Sequence, residues 1–141
     1  MRVPDVNVLL YARDLTARHH ATARTWLESS LSGSETVGLA WTVLLGFLRI
    51  STNPRVYVQP LDVADALDQI DEWIGLSSTA LVAPTNRHQT ILRGLIETAG
   101  TAANLTTDAH LAALAIEHGA TLATFDGDFH RFSGLKLEYL R

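Results

Sequence analysis

Short apolar segments alternate along this chain with longer segments of helical periodicity, and this alternation leaves few possible folds. Short strands joined by helices of about ten or more residues form right-handed crossovers, which build a mainly parallel sheet covered by helices on both faces. The pattern therefore predicts an α/β fold with three layers, α/β/α. The predicted strands cover residues 3–10 (ending near 5–8), 37–40, 79–83, 120–125 and, as a short edge strand, 135–140; the predicted helices cover 13–31, 43–51, 62–74, 86–98 and 105–118.

Capping residues mark several of the predicted helix ends. Asp14, Thr42 and Asp62 each stand at the start of a helical pattern, where a side-chain oxygen can accept a hydrogen bond from a free backbone N–H group. Gly100 follows the fourth predicted helix and suits the left-handed conformation that often ends a helix. These four positions define the expected helix boundaries.

Composition and length fit one domain that spans residues 1–141, with 47% hydrophobic and 18% charged residues. The chain has no cysteine, which excludes a disulfide scaffold, a thiolate zinc site and a cysteine nucleophile and suits a reducing compartment. No apolar run approaches the roughly 18 residues that span a bilayer, and Asp5 interrupts the first apolar stretch, which argues against a secretory signal. We therefore expect a soluble, cytoplasmic protein with no membrane association.

The charge balance excludes some nucleic-acid-binding proteins but not nucleases. Eleven basic against 15 acidic side chains give a net charge of −4, which excludes a strongly basic nucleic-acid coat that binds through counterion release. All the basic residues except Lys136 are arginines, which hold phosphate groups bidentately. A bound metal ion could supply further positive charge.

Four aspartates lie at predicted ends of strands and helices that a parallel sheet can bring to one edge. Asp5 ends the first strand, Asp126 and Asp128 follow the strand over 120–125, and Asp108 lies in the first turn of the last helix. Ligands of open parallel sheets bind beyond the carboxyl ends of the strands, so these side chains converge if the two strands are central neighbours. Clustered carboxylates repel one another unless a cation neutralises them. The pattern predicts a Mg²⁺ or Mn²⁺ site, whose activated water can attack phosphorus.

Polar residues near these aspartates have expected supporting roles. Asn7 is expected to orient Asp5. Thr124 is expected to donate a hydrogen bond to the carboxylate two residues further on or to a metal-bound water. Asn104 and Thr107 either cap the last predicted helix or support the site.

Other catalytic motifs are missing from the sequence. The six histidines have no zinc-ligand spacing. There is neither a Gly-x-x-x-x-Gly-Lys phosphate loop nor a Gly-x-Ser-x-Gly nucleophile elbow. Nucleotide-driven and acyl-transfer mechanisms are therefore not expected.

Four motifs, spread over nearly the whole chain, carry a family resemblance. They are DVNVLLYA at residues 5–12, FLRISTNP at 47–54, NLTTDAHLAALA at 104–115 and TFDGDF at 124–129. In this order they resemble the PIN-domain ribonucleases and, within that family, are most similar to the VapC toxins of type II toxin–antitoxin systems.

The resemblance implies a PIN-like fold and a Mg²⁺- or Mn²⁺-dependent endoribonuclease that cuts RNA, is silenced by a VapB-like antitoxin and usually forms a homodimer. It also implies that Asp5, Asp108 and Asp126 are metal ligands, with Asp128 close by as a further ligand or as a holder of water. The candidates for contacts with RNA phosphates are Arg13, Arg49 and Arg55.

One position departs from the family pattern. Family members commonly carry a glutamate on the helix after the second strand, a few residues before the arginine matched here by Arg49, and this chain has Gly46 there. Asp128, water or an RNA phosphate must then complete the metal shell, or the metal binds more weakly than in sites with the glutamate.

Three alternative functions stay open on the sequence. A haloacid-dehalogenase-like phosphatase requires Asp-x-Asp after the first strand, where this chain has Asp5-Val6-Asn7. A receiver domain requires a lysine near the end of its last strand and an acidic pair at its first, and neither is convincing here. A catalytically impaired protein of the same fold would bind its antitoxin or RNA but would show no Asp5-dependent binding of Mn²⁺.

Apolar residues between positions 41 and 74 exceed what two short helices need for the core. They either complete the core or form a groove or dimer surface of the kind that takes a partner helix. They are Trp41, Leu44, Leu45, Phe47, Leu48, Val56, Tyr57, Val58, Ile70, Trp73 and Ile74.

Overall fold

Five parallel strands form the central sheet of the computed structural model, which describes residues 1–141. The strands are β1 (Arg2–Pro4), β2 (Val37–Ala40), β3 (Thr79–Val82), β4 (Thr121–Thr124) and β5 (Lys136–Tyr139). Their spatial order is β3-β2-β1-β4-β5, so β1 and β4 are neighbours in the interior of the sheet and β3 and β5 form its edges. The sheet is wholly parallel, where the sequence predicted a mainly parallel one.

Six helices connect the strands and cover the sheet. They are α1 (Val6–Arg13), α2 (His20–Leu31), α3 (Trp41–Ser51), α4 (Val63–Gly75), α5 (His88–Ala99) and α6 (Thr106–Glu117). Crossover helices between parallel strands pack on the faces of a sheet, and the predicted three-layer α/β/α fold is confirmed. None of these helices has the length and apolar character needed to cross a membrane.

The predicted strand over residues 3–10 is wrong beyond its first residues, because the chain turns into α1 directly after Asp5. Asp5 is the N-cap of α1, and its Oδ1 accepts a hydrogen bond from the Val6 N–H at 2.7 Å. The apolar run continues as a helix in which Val8, Leu9 and Leu10 are buried in the core. A short apolar run fits a buried strand and a buried helix equally well, so periodicity does not separate them.

The predicted helix over residues 13–31 begins too early, because α1 ends at Arg13 and α2 covers only His20–Leu31. Asp14 is the C-cap of α1 rather than the N-cap of a new helix. Its side chain accepts hydrogen bonds from the N–H and the hydroxyl of Thr16, at 2.9 and 2.7 Å. Aspartate favours such turns, and the next helix begins only at His20.

The other capping predictions have mixed outcomes. Thr42 lies inside α3, which begins at Trp41 directly after β2 with Ala40 as its N-cap, so that prediction is wrong. Asp62 is the N-cap of α4, although its side chain accepts no hydrogen bond there. Gly100 ends α5 in the left-handed conformation with φ 76°, as predicted.

Asn104 and Thr107 do not cap α6, contrary to the capping prediction. Asn104 belongs to the short 3₁₀ helix Ala103–Leu105, and Leu105 is the N-cap of α6. No side chain forms a capping hydrogen bond at this end of the helix. The 3₁₀ turn leads into α6 through the backbone alone.

The hydrophobic core contains 28 buried residues, and α6 contributes many of them. Seven of the 12 residues in α6 are buried, among them Ala109, Ala112 and Ala113. Small side chains allow a helix to pack closely, and a helix buried over most of its surface has little freedom to shift. The core therefore determines where the first turn of α6 lies relative to the sheet.

A network around Arg2 joins the sheet interior to the edge strand β5 and to α2. Arg2 Nη2 donates to both carboxylate oxygens of Glu138 on β5, at 2.8 and 2.6 Å, and Nη1 donates to the Ser30 hydroxyl on α2 at 2.8 Å. Trp26 Nε1 donates to Glu138 at 3.0 Å, and the Arg2 guanidinium lies 4.8 Å from the Trp26 ring centroid. These contacts hold β5 in place beside β4.

Candidate metal centre

Asp5 lies at the carboxyl end of β1 and is buried, with 7% of its surface exposed. Its Oδ2 accepts hydrogen bonds from the Thr124 hydroxyl at 2.7 Å and from Asn7 Nδ2 at 2.9 Å, and its Oδ1 accepts the Val6 N–H. Burial raises the pKa of Asp5 and the charge of Asp126 adds to this increase, although the three hydrogen bonds act in the opposite direction. Asp5 is therefore an oriented carboxylate whose charge is only partly compensated.

Thr124, at the carboxyl end of β4, connects Asp5 to the turn that holds Asp126. Its hydroxyl donates to Asp5 and accepts hydrogen bonds from Asn7 Nδ2 at 3.1 Å and from the Asp126 N–H at 3.0 Å. The hydroxyl hydrogen is thus directed to Asp5, and the prediction that Thr124 donates to the Asp126 carboxylate is wrong. Asn7 Oδ1 also accepts the Phe125 N–H at 3.2 Å, so Asn7 contacts both Asp5 and the end of β4.

Asp126 and Asp128 lie in the turn that follows β4. Asp126 is the N-cap of the 3₁₀ helix Gly127–Arg131, and its Oδ1 accepts the Asp128 N–H at 2.9 Å. Asp126 is partly buried, whereas Asp128 is exposed. The two carboxylates therefore extend the cluster from the buried Asp5 toward solvent.

Asp108 approaches the same cluster from the first turn of α6. Partial burial raises the pKa of Asp108 to about 6, and the negative charges of Asp5, Asp126 and Asp128 each add to the increase. These shifts show that the charges of the other three aspartates act on Asp108. The structure therefore brings together the four aspartates that the sequence singles out.

The chemistry of this donor set fits a hard divalent cation, because all its ligand atoms are carboxylate oxygens. None of the four aspartates forms an ion pair with an arginine, lysine or histidine, so the protein does not neutralise their charge. No three His, Asp or Glu side chains already stand in an arrangement that could hold one ion. The four carboxylates therefore do not form a preformed metal site in this structure.

Gly46, where the family pattern has a glutamate, lies beside this cluster. A Cβ atom on Gly46 would approach Val6 Cγ2 to 3.2 Å, and Val6 directly follows Asp5. Gly46 also lines a cavity of about 690 Å³ with Arg49 and Thr107, the residue before the aspartate of α6. Helix α3 contains no carboxylate, so it supplies no acidic ligand.

The three arginines expected to contact RNA have different positions. Arg49 lines the cavity that Gly46 and Thr107 also line. Arg13 lines a second cavity of about 750 Å³, between α1 and the segment that follows α3. Arg55 is exposed, and its backbone N–H donates to Asn53 Oδ1 at 2.9 Å. Of the three, only Arg49 lines the cavity that Gly46 and Thr107 also line.

The apolar residues between positions 41 and 74 divide between core and surface. The core interpretation is confirmed for the buried ones, and a groove or dimer surface stays a prediction. Leu44, Phe47, Ile70 and Trp73 are buried in the core. The residues with half or more of their surface exposed are Trp41 at 50%, Leu45 at 56%, Val56 at 54% and Val58 at 101%. Val56 and Val58 line the second cavity.

Tyr139 and His130 also lie at this edge, although no sequence motif selects them. Tyr139, at the end of β5, has its Oη 3.8 Å from the position of a Cβ on Gly127, in the turn between Asp126 and Asp128. The His130 ring packs edge-on against the Tyr139 ring with centroids 5.1 Å apart. The sequence predicts an edge strand here, but it does not show that this strand pairs with β4. Only that pairing brings Tyr139 to the turn after β4.

Comparison with known proteins places the chain in one family. Residues 2–135 match the family model of the PIN domain. Ribonuclease VapC37 of Mycobacterium tuberculosis is 45% identical over 136 residues, which cover 96% of this chain and 94% of that protein. Ribonuclease VapC33 of the same species is 41% identical over 136 residues, with 96% and 95% covered.

Solved structures share the fold at lower sequence identity. VapBC2 from Rickettsia felis, bound to a DNA fragment from its promoter, matches with a TM-score of 0.71 and 21% identity, covering 99% of this chain and 98% of that one. Mycobacterium tuberculosis VapC20, described as a sarcin-ricin loop cleaving toxin, matches with a TM-score of 0.67 and 17% identity, covering 96% and 99%. From the domain match and the relatives above 40% identity, the chain belongs to the PIN-domain family and, within it, to the VapC group.

Proposed function

We propose that this protein is a metal-dependent endoribonuclease that acts as the toxin of a toxin–antitoxin pair. The observation that carries the proposal is the cluster of four aspartates, none of which is paired with a cation of the protein. Relatives between 34% and 45% identical bear the name of VapC ribonucleases. Hydrolysis of a phosphodiester needs positive charge at the phosphate, and a cation bound by these carboxylates supplies it.

Asp5, Asp108 and Asp126 would hold the ion, and Asp128 would add a ligand or hold a water molecule. Mg²⁺ and Mn²⁺ both suit carboxylate oxygens. When bound, the ion supplies an activated water as nucleophile and charge that stabilises the leaving oxygen. Asp128 is our candidate to compensate for the glutamate that Gly46 replaces.

Asn7 and Thr124 act as positioning residues for the proposed centre. Both donate to Oδ2 of Asp5, while the Val6 N–H donates to Oδ1, so the plane of the carboxylate is held before an ion binds. Asn104 is not assigned this role, because its side chain is exposed and forms no hydrogen bond with the cluster.

Arg49 is our first candidate for a contact with the RNA backbone. It is exposed, forms no ion pair, and lines the cavity beside Gly46. A guanidinium group can bind a phosphate through two parallel hydrogen bonds. Arg13 and Arg55 remain secondary candidates, because neither lines that cavity.

A VapB-like antitoxin is the proposed protein partner. Solved complexes with this fold, VapBC2 from Rickettsia felis and VapBC from Salmonella typhimurium, contain such a pair. The exposed Val56 and Val58 offer apolar surface of the kind that a partner helix covers. Trp41 and Leu45 offer a second exposed surface, which a homodimer would cover. We place the protein in the cytoplasm because a chain without cysteine suits a reducing compartment.

Cleavage of RNA by the purified protein tests the proposal. The wild-type protein is expected to cleave RNA with Mg²⁺ or Mn²⁺, and EDTA is expected to stop the reaction. Asp5→Asn and Asp126→Asn should fold, because asparagine caps helices as well as aspartate does, but should lose both cleavage and growth inhibition. Asp68→Asn, exposed on α4, is the matched control. Undiminished cleavage by a folded Asp5 or Asp126 variant would refute the assignment.

Calorimetric titration with Mn²⁺ separates an enzyme from a non-catalytic protein of the same fold. We expect the wild-type protein to bind Mn²⁺ and Asp5→Asn to bind it much more weakly. A wild-type protein that binds RNA and antitoxin but no Mn²⁺ would instead support the binding protein. Sequencing the 5′ ends of RNA produced on induction would then identify the substrate of the enzyme.

A further inference from the structure

Unpaired basic residues are concentrated in the last part of the chain. Of the 11 arginine and lysine residues, Arg2, Arg24 and Arg93 form ion pairs, and Arg87 donates to the backbone carbonyl of Glu117. Seven basic side chains remain free to attract an anionic ligand. Three of these seven lie within the last 11 residues: Arg131, Lys136 and Arg141.

Tyr139 stands next to Thr124 in the sheet. β4 and β5 pair in parallel with Thr124 opposite Tyr139, and the Leu140 N–H donates to the Thr124 carbonyl at 2.8 Å. Paired residues of adjacent strands direct their side chains to the same face of a sheet. The Tyr139 ring therefore lies on the face where the Thr124 hydroxyl holds Asp5, and 39% of Tyr139 is exposed.

The ring of Tyr139 lies with His130 and Arg141 against the turn that holds two of the aspartates. Its Oη lies 3.8 Å from a Cβ position on Gly127, and His130 Nδ1 hydrogen-bonds the Gly127 carbonyl at 3.0 Å. The His130 and Tyr139 rings pack in a T-shaped arrangement, and the Arg141 guanidinium lies 5.3 Å from the Tyr139 ring centroid. An aromatic ring thus lies beside the turn that holds Asp126 and Asp128, with a guanidinium group next to the ring.

We propose that Tyr139, with Arg141 and His130, forms a stacking surface for an unpaired RNA base next to the phosphate that is cleaved. This inference rests on the proposed ribonuclease function. Bases stack on aromatic rings and on guanidinium planes with little dependence on sequence, and RNA exposes base faces in loops, bulges and ends. The positive charge of Arg141 attracts the RNA backbone, which the aspartates repel. The surface therefore selects single-stranded RNA over a duplex.

Tyr139→Leu and Tyr139→Phe test the role of the ring. In EDTA, where no cleavage is expected, the affinity for a fluorescent single-stranded RNA should fall about tenfold in Tyr139→Leu and stay at the wild-type value in Tyr139→Phe. With Mg²⁺, the KM of Tyr139→Leu should rise by about the same factor, while kcat stays close to wild type. Arg141→Gln should also weaken binding, whereas Arg93→Gln, which removes a charge from α5, should not.

The possible outcomes separate this inference from the proposed function. Equal RNA binding by wild type, Tyr139→Leu and Arg141→Gln would overturn the stacking surface, as would equal losses in the Leu and Phe variants. Loss of antitoxin binding without loss of RNA binding would assign the surface to a protein partner and would also overturn it. If the wild-type protein binds RNA through Tyr139 but never cleaves it, the stacking surface stands and the ribonuclease proposal fails.

Discussion

The Thr124 hydroxyl donates a hydrogen bond of 2.7 Å to Asp5, although 119 positions separate the two residues in the sequence. The bond joins the carboxyl ends of the neighbouring strands β1 and β4. Because the same hydroxyl accepts the Asp126 N–H, one side chain positions two of the proposed metal ligands.

Replacing Thr124 with valine keeps the shape of the side chain and removes this hydrogen bond. We expect the affinity of Thr124→Val for Mn²⁺ to fall by about tenfold or more, because groups that orient metal ligands typically contribute factors of about 10 to 100 to metal affinity. RNA cleavage at limiting metal should fall in proportion. Calorimetric titration measures the affinity, and Thr98→Val, exposed on α5, is the control. Equal Mn²⁺ affinities of Thr124→Val and wild type would contradict the positioning role.

Binding of Mn²⁺ should depend on pH through Asp108. Its pKa is raised to about 6 by burial and by the neighbouring carboxylates, so the metal-free protein holds a proton there at about pH 5 and releases it by about pH 7. The proton and the ion compete for the same oxygens, and the affinity for Mn²⁺ should therefore rise over this range. Titrations at both pH values test this, and in Asp108→Asn this part of the dependence should disappear. An affinity independent of pH in the wild-type protein would exclude Asp108 as a ligand.

The same carboxylate should destabilise the metal-free protein at neutral pH. Its pKa is higher in the folded protein than the ordinary 3.8, so its stabilising contribution is complete below 3.8 and is lost as the pH rises through about 6. Asp108→Asn should consequently raise the Tm in EDTA by several degrees at about pH 7.5 and by less at about pH 4. Thermal unfolding followed by circular dichroism measures both, with Asp68→Asn as control. A lower Tm of Asp108→Asn at neutral pH would argue against charge repulsion.

A glutamate at position 46 should strengthen the proposed metal centre. Gly46→Glu adds a carboxylate beside Asp5, and its Cβ requires Val6 Cγ2, at 3.2 Å, to move by a few tenths of an ångström. We expect about tenfold tighter binding of Mn²⁺, because ligand charge raises affinity for hard cations. Gly46→Gln has nearly the same size without the charge and should show no such gain. Equal effects of the two substitutions would indicate a steric cause.

Glu117 should stabilise the packing of α5 on α6. Its side chain is inaccessible to solvent, and it accepts hydrogen bonds from the Thr85 N–H and from His88 Nδ1. Burial raises the pKa of Glu117, but the contacts with Thr85 and His88 outweigh burial and hold the pKa below its usual range. Glu117→Gln should therefore lower the free energy of unfolding by about 2 kcal/mol at pH 7.

The pH dependence of this loss follows from the direction of the pKa shift. A carboxylate with a lowered pKa stabilises the fold above its unfolded pKa, and this contribution is lost as the pH falls through the folded value. The difference between wild type and Glu117→Gln should thus shrink below about pH 4. Urea unfolding at two pH values measures it, with the exposed Glu97→Gln as control. A difference of the same size at pH 7 and at pH 3 would contradict the assigned charge.

The aspartates could be located from the sequence because the positions of parallel-strand ends follow from local patterns. Asp5, Asp126 and Asp128 follow apolar segments, and Asp108 begins a helical one. The exact start of α1 could not be located, because Val8, Leu9 and Leu10 are as suitable for a buried strand as for the buried helix they form. The hydrogen-bonding partner of Thr124 could not be predicted either, because a hydroxyl can donate in several directions and its neighbours come from distant segments of the chain.

The periodicity of apolar residues indicates which faces of the helices and strands are buried. This pattern was sufficient to predict the layered α/β class and a group of acidic residues at one edge of the sheet. The periodicity does not predict which strands are neighbours in the sheet, because strand pairing depends on the packing of residues that are far apart in the chain. The neighbouring positions of β1 and β4, the approach of Tyr139 to the Asp126 turn and the burial of Glu117 against His88 all arise from that packing. The types of residue at the site are a property of the sequence, whereas their distances, burial and shifted pKa values exist only once the chain has folded.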